Sequence, residues 1–391
     1  MRTMQISAIG KVKGGKRLPK GEVVQSEPTD HPYLRVTDFT PSGVDQNNVK
    51  FITEAAHRAI RRYTINEREV YISIAGTVGL VGIVPLELSG ANLTENAAKI
   101  TEIDAAVYHR YLMYFLRSPL GQAQIVAKTG GAAQPKLALY RIEEIEFPLL
   151  PLEQQRHIAS ILGAYDDLIE VNRRRVAVLE EMARGLFEEW FVRFRFPGHE
   201  TVPLHDTPNG PLPEGWTIDE LGAVLRLRYG KALKADSRTP GTVSVIGSSG
   251  VVGSHTQRLV EGPGIVVGRK GNVGSVIWST NDFWPIDTAY FVETALPLMF
   301  VYELIRRVPF QNTDAAVPGL NRDYALSRKV TLPPIDLVER YGRFAQPLRD
   351  QLDALEQSNE RLAAARDLLL PRLISGQLSV EAAERELEDA A

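Results

Sequence analysis

The 391-residue chain is 44% apolar and 24% charged, the balance of a globular protein with room for two or three cores rather than of a disordered or collagen-like chain. It has no cysteine, which excludes disulfides, iron–sulfur clusters and thiolate zinc sites. The formal net charge of −3 removes the global positive field that most simply marks a nucleic-acid binder.

In chain order, the N-terminus lacks the basic-then-apolar pattern of a secretory signal, and a cytoplasmic address is expected. Tyr33-Leu34-Arg35-Val36 and Glu69-Val70-Tyr71-Ile72-Ser73-Ile74 read as strands. The uncharged run 71–86 is too short for a membrane helix and carries Gly76, Gly79 and Gly82, which predicts strand, turn, strand. A short helix is expected over 108–117. After Pro148-Leu149-Leu150-Pro151 comes a long helical pattern through Ile158, Ile161, Tyr165, Leu168, Asn172, Val176, Leu179, Ala183, Leu186 and Trp190, with steps of three and four. Residues 196–215, rich in Pro and Gly, read as a linker.

The second half repeats the plan. Gly264-Ile265-Val266-Val267-Gly268 and Ser275-Val276-Ile277-Trp278 read as strands, and 298–307 as a short helix. A second long stripe follows Pro333-Pro334: Tyr341, Ala345, Leu348, Leu352, Leu355, Asn359, Leu362, Arg366 and Leu369. It is a heptad series with Asn359 on its seam. Pro371 and Gly376 are expected to end or kink that helix. About forty residues of helix span roughly 60 Å at ~1.5 Å per residue, more than a small domain covers. The stripes are therefore expected to cover each other as an antiparallel coiled pair, with packing of each on its own β-rich neighbour as the alternative. Leu168, Val176, Leu186, Leu355 and Leu362 are assigned to the seam, where Asn172 and Asn359 set register. The segment 381–391 is acidic and expected to fray.

Four matches support internal duplication. Gly76-Thr77-Val78-Gly79 is echoed by Gly271-Asn272-Val273-Gly274, Pro135-Lys136-Leu137 by Pro318-Gly319-Leu320, Pro148 by Pro333 and Asn172 by Asn359, all in order at offsets of 183 to 195 residues.

The sequence holds no catalytic constellation. Gly10-Lys11-Val12-Lys13-Gly14-Gly15-Lys16-Arg17 approaches a phosphate-binding P-loop, but Arg17 stands where a Ser or Thr hydroxyl must hold magnesium. No two histidines share i, i+4 spacing, no Gly-x-Ser-x-Gly elbow occurs, and nothing matches the Asn/Asp-Pro-Pro-aromatic loop of amino-methylating enzymes. A binding module is the leading class. Positive charge is local: residues 1–20 hold Arg2, Lys11, Lys13, Lys16, Arg17 and Lys20 with no acid, and Arg269-Lys270 stand beside Gly271-Asn272. Glycine lets backbone approach phosphates, Arg suits guanine and Asn suits adenine.

With these residues in view, the whole chain resembles the specificity subunit of type I restriction–modification systems. The resemblance rests on Gly15-Lys16-Arg17-Leu18-Pro19-Lys20-Gly21, on Tyr229-Gly230-Lys231-Ala232-Leu233 with Ile246-Gly247-Ser248-Ser249-Gly250, and on Pro151-Leu152-Glu153-Gln154-Gln155-Arg156. It continues in Leu186-Phe187, Trp190-Phe191, Pro211-Leu212-Pro213, Gly215-Trp216 and Leu373-Ile374-Ser375-Gly376. The second spacer departs from the pattern, with Asp336-Leu337-Val338 where the first has Glu153-Gln154-Gln155.

The resemblance implies an α+β protein of two pseudo-symmetric target-recognition domains, β-rich with short helices, separated by two long helices paired as an antiparallel coiled coil. It divides the chain into a first recognition domain (1–150), central spacer helix (151–195), linker (196–214), second recognition domain (215–333), C-terminal spacer helix (334–378) and acidic tail (379–391). Each domain would read one half of a bipartite duplex DNA site. The chain itself would be non-catalytic. Two methyltransferase subunits would dock on it, and motor-nuclease subunits could join; S-adenosylmethionine, ATP and magnesium would belong to those partners. Expected DNA-binding residues are Lys16, Arg17 and Lys136 in the first domain, and Lys231, Ser248, Arg269, Lys270, Asn272 and Arg322 in the second. Arg269 is alternatively a partner for Asp282 or Asp287. Rival readings are the specificity protein of a methylation-based defence system without the type I nuclease, and a coiled-coil adaptor that binds only protein.

Overall fold

A computed structural model describes residues 3–41, 43–131, 135–208, 210–311, 319–378 and 385. Pro318 and, apart from Arg385, the acidic tail lie outside the described residues. The chain forms two compact units, Met1–Val171 with Ser358–Ala391, and Asn172–Gln357. Each unit contains part of both long helices.

The first unit is built on a four-stranded sheet in the order Lys11–Gly14, Ala97–Thr101, Val70–Ser73, Val81–Gly82, all antiparallel. The expected strand, turn, strand over 71–86 is thus present. Side-chain alternation feeds two cores from one strand. Val70 and Ile72 pack with Tyr111, Leu112 and Phe115 of the helix His109–Arg117, while Tyr71 turns the other way to join Leu34, Phe39 and Leu93. A second sheet contains Pro32–Leu34 paired in parallel with Ala91–Leu93. The strand Thr3–Gln5 closes the unit against Glu146–Pro148.

The second unit repeats this topology. Its sheet runs Arg226–Tyr229, Ala289–Glu293, Gly264–Gly268, Val276–Ser279. Val243–Gly247 pairs in parallel with Phe283–Pro285, and Thr217–Glu220 closes against Lys329–Leu332. Ile265 and Val267 face the helix Leu298–Arg306, and Val266 faces Ile246 and Phe283. Both short helices fall within the expected ranges 108–117 and 298–307. The expected linker holds a hairpin, Leu204–Thr207 with Gly210–Pro213.

The long helices are Leu152–Phe187, continued by a π-turn Glu188–Val192, and Ile335–Ile374. In the first unit Ile158, Ile161, Leu162 and Tyr165 share a core with Leu369, Leu370, Leu373 and Ile374, and Arg366 donates to Asp166 at 2.5 Å. In the second, Phe187 and Trp190 meet Tyr341 with ring centroids 5.8 and 5.9 Å apart. Residue numbers rise along one helix as they fall along the other, so the pairing is antiparallel. Leu186 and Leu362 pack against these cores, and Val176 and Leu355 are half-buried. Leu168 is a correction: it is 49% exposed, and Ile169 takes the buried position at that turn. A 3.6-residue helix drifts off a strict heptad, so the inward position moves one residue on. Asn172 is buried, and Asn359 is half-buried with its Oδ1 unpaired among the described residues. The C-terminal helix passes through Pro371 to Ile374, within the expected 334–378, with Leu373 and Ile374 anchored in the first unit's core. Gly376, with φ +75°, then ends it.

Gln155 explains the Glu-Gln-Gln pattern. Its side chain is fully buried; Oε1 accepts from the Tyr108 N–H and Nε2 donates to the Ala106 and Leu150 carbonyls, each at 2.8 Å. The equivalent position in the second unit is Val338, buried among Leu337, Tyr341 and Phe300. One unit fastens its helix with hydrogen bonds and the other with apolar packing. Gln155→Leu is expected to leave main-chain groups buried without partners and to lower the first unit's stability by about 1–3 kcal/mol or more. Chemical denaturation, with hydrogen exchange at Tyr108 as the local probe, checks this; unchanged exchange there would contradict it.

Candidate nucleic-acid interface

In both units the strand that opens the sheet runs out through a glycine pressed onto carbonyl groups. A Cβ on Gly15 would stand 2.0 Å from the Thr94 oxygen, and one on Gly230 would stand 2.1 Å from the Ile286 oxygen, so no other residue fits. Gly15 N–H donates to Ala97 O at 2.9 Å and Gly230 N–H to Ala289 O at 3.0 Å. The next residue is a lysine in each case. Lys16 N–H bonds Leu93 O at 2.8 Å and Lys231 N–H bonds Pro285 O at 2.9 Å. Both side chains are exposed, with Nζ 5.8 Å from the Tyr63 ring centre and 5.9 Å from that of Trp284. The two opening motifs are therefore one structural device used twice.

The repeated Gly-x-Val-Gly turn lies on the same edge. Gly76 and Gly79 have φ of +76° and +93°, and Gly271 and Gly274 have +80° and +76°. Each turn is closed by matching bonds: Gly79 N–H to Ser73 O and Gly274 N–H to Gly268 O, then Ser73 N–H to Leu80 O and Gly268 N–H to Ser275 O. One carbonyl receives two consecutive N–H groups beside it. Asn96 O takes Ile74 and Ala75; Thr288 O takes Arg269 and Lys270. The Pro-x-Leu segments dock alongside, through bridges between Ala75 and Lys136 and between Lys270 and Gly319.

The fold thus brings the Lys16, Arg17 and Lys136 segments to one edge of the first unit. It brings those of Lys231, Arg269, Lys270, Asn272 and Arg322 to the equivalent edge of the second. Lys136, Lys270 and Asn272 are exposed. Ser248 is only 7% exposed: its carbonyl accepts from Ser275 Oγ at 2.6 Å and its N–H meets Thr288 Oγ1 at 3.4 Å, so it supports the turn from below. Arg269 donates to the main-chain oxygen of Asp287 at 3.0 Å, and Asp282 is taken by Arg258. Tyr229, Thr288 and Tyr290 also belong to this edge, and none of them is among the expected site residues. Tyr229 stands in the second opening motif, whereas nothing local in the sequence marks Thr288 as the carbonyl that holds the turn.

Pairing removes much of the basic run. Lys11 and Lys13 both bind Glu102, whose carboxyl they pull down to about 2. Arg17 binds Glu95 at 2.7 Å, which raises its pKa further; Arg228 binds Glu293 at 2.7 Å. Burial pushes the Tyr290 phenol up to about 12, with the adjacent Tyr229 phenol adding to the effect. Among the described residues no cluster of metal-ligating side chains forms, and no helix is long and apolar enough to cross a membrane.

Two copies of one α+β fold, each presenting glycine-braced cations on the same sheet edge, define a duplicated recognition protein. The family model of the type I restriction modification DNA specificity domain matches residues 1–181. The type I restriction enzyme MjaIX specificity subunit of Methanocaldococcus jannaschii is 23% identical, over 96% of this chain and 93% of the relative. The MjaVIII specificity subunit of the same organism is 26% identical over 52% of this chain and 44% of its own length. The crystal structure of a type I restriction–modification system S subunit from M. genitalium shares the fold, with a TM-score of 0.56 at 16% identity and 95% of each chain covered. The first 181 residues thus match the type I DNA specificity domain, and nearly the whole chain is similar to type I restriction–modification specificity subunits.

Gly274→Ala is expected to cost at least roughly 1–2 kcal/mol. It forces a left-handed φ on an L-residue, and its Cβ would lie 2.8 Å from Phe310 Cβ. Thermal unfolding of the variant measures the loss, and an unchanged midpoint would contradict the turn's role.

Proposed function

We propose that each unit reads one half of a split, asymmetric duplex DNA site, and that the long helices set the distance between the halves. The observation that carries this reading is the pair of equivalent sheet edges. Their main-chain frameworks match bond for bond while their outward side chains differ, as two readers of different half-sites require. Exposed lysines on the edges seek phosphates, and Arg and Asn side chains test base edges. Acids such as Glu95 and Glu102 hold part of the positive charge in check, so partner subunits supply further phosphate contacts.

The chain acts as a non-catalytic specificity subunit in the cytoplasm. Two methyltransferase subunits dock on it and methylate adenines with S-adenosylmethionine; motor-nuclease subunits join with ATP and magnesium. The target adenine is flipped into a partner's pocket. The outer face of the central helix within the second unit supports docking, because Val178 and Met182 are 59 and 53% exposed there. Val178→Asp with Met182→Asp is expected to weaken assembly with the methyltransferase subunits at least about tenfold while the chain stays folded. Titration of labelled subunits checks it, and undiminished assembly would remove this face from the interface.

The ruler role makes a sharper prediction. Inserting one heptad into each long helix at the paired level adds roughly 10 Å. Methylated-base sequencing is expected to show a spacer longer by about three base pairs with both half-sites unchanged. Altered half-sites at constant separation would overturn the reading.

A further inference from the structure

The two edges differ most at one position. In the first unit, Gly14 pairs with Ala98, Ile74 follows the strand Val70–Ser73, and Leu139 opens the helix Leu139–Glu143. A Cβ on Gly14 would lie 3.5 Å from Leu139 Cδ1. In the second unit the corresponding residues are Tyr229, Tyr290, Arg269 and Arg322, the last opening the helix Arg322–Leu326. A small apolar group in one copy is a cluster of two phenols and two guanidiniums in the other.

Tyr229 lies at the centre of that cluster. The Arg269 guanidinium lies 5.0 Å and that of Arg322 5.4 Å from its ring centre, and the Tyr290 ring is 5.1 Å away. Tyr229 is nevertheless 51% exposed. Core packing does not account for a half-exposed tyrosine between two arginines. Among the described residues Arg269 meets no carboxylate. Arg322 meets only Asp323 at 3.4 Å, a pair too exposed to hold it firmly. Stacking on a ring fixes the plane of a guanidinium; Arg269 gives one Nη1 hydrogen to the Asp287 carbonyl, and its remaining N–H groups, like the Nη groups of Arg322, suit the bidentate acceptor pair of guanine O6 and N7.

We infer that Tyr229 braces Arg269 and Arg322 as the guanine-reading side chains of the second unit. The inference rests on the reading that this unit contacts one half-site. The test uses the full chain assembled with its methyltransferase subunits, with methylated-base sequencing and DNA-binding titrations in varied salt. Arg269→Ala, Arg322→Ala and Tyr229→Ala are each expected to reduce discrimination at a G·C position of one half-site about tenfold or more, leaving the other half-site intact. Arg269→Lys, which keeps the charge but loses the fork, is expected to lose discrimination with an unchanged salt slope. Tyr229→Phe, which keeps the ring, is expected to retain discrimination. Uniform weakening on all sequences, with a salt slope shallower by about one, would make these arginines phosphate contacts and overturn the inference. Wild-type discrimination in all the variants would overturn it too. A wild-type methylation motif that is not bipartite removes the underlying reading as well. A bipartite motif unaltered by the substitutions removes this inference alone.

Discussion

Both units depend on a close approach of backbone to backbone at Gly15 and Gly230. There the opening strand crosses the end of a neighbouring chain segment so tightly that a single Cβ would overlap a carbonyl oxygen. The approach lets the following lysine N–H reach a second carbonyl and throws the lysine side chain outward. The Gly-x-Val-Gly turn hangs from the same region, through the carbonyl of Asn96 or Thr288. Without this approach, several main-chain groups would be stranded in a partly buried edge, each at a cost of about 1–3 kcal/mol. The positions of the outward side chains therefore follow from main-chain hydrogen bonds, and the side chains themselves are free to differ.

That separation of framework from surface reconciles a negative net charge with DNA recognition. The fold ties many cations into ion pairs within the unit, such as Lys11 and Lys13 on Glu102. It leaves Lys16, Lys136, Lys231 and Lys270 exposed on the two edges. Two units of one topology, with different residues at Gly14 and Tyr229, suit the proposed reading of two different half-sites, since identical surfaces would read identical sequences.

The long helices face a different constraint. Each is too long to be covered by one small sheet, so each unit covers its own stretch with the antiparallel partner. The anchoring differs. Gln155 holds the first helix by three hydrogen bonds, while Val338 and Tyr341 hold the second by packing. The first solution is directional and the second relies on apolar burial, worth about 1.5–3 kcal/mol per large side chain.

Much of this architecture was legible in the chain. Steps of three and four marked both long helices, apolar runs marked the strands of each sheet, and the repeated Gly-x-Val-Gly and Pro-x-Leu segments marked the duplication, because periodicity and glycine requirements are local. The sequence could not show that Ile169 rather than Leu168 faces inward, since that depends on accumulated helical drift. Nor could it decide between Pro371 and Gly376 as the end of the last helix, since distant core packing holds its final turn. The cations were visible as a set of residues, but their availability was not. Whether Arg17 meets Glu95, or Arg269 rests on Tyr229, is decided by residues 40 to 78 positions away that only the folded sheets bring within reach.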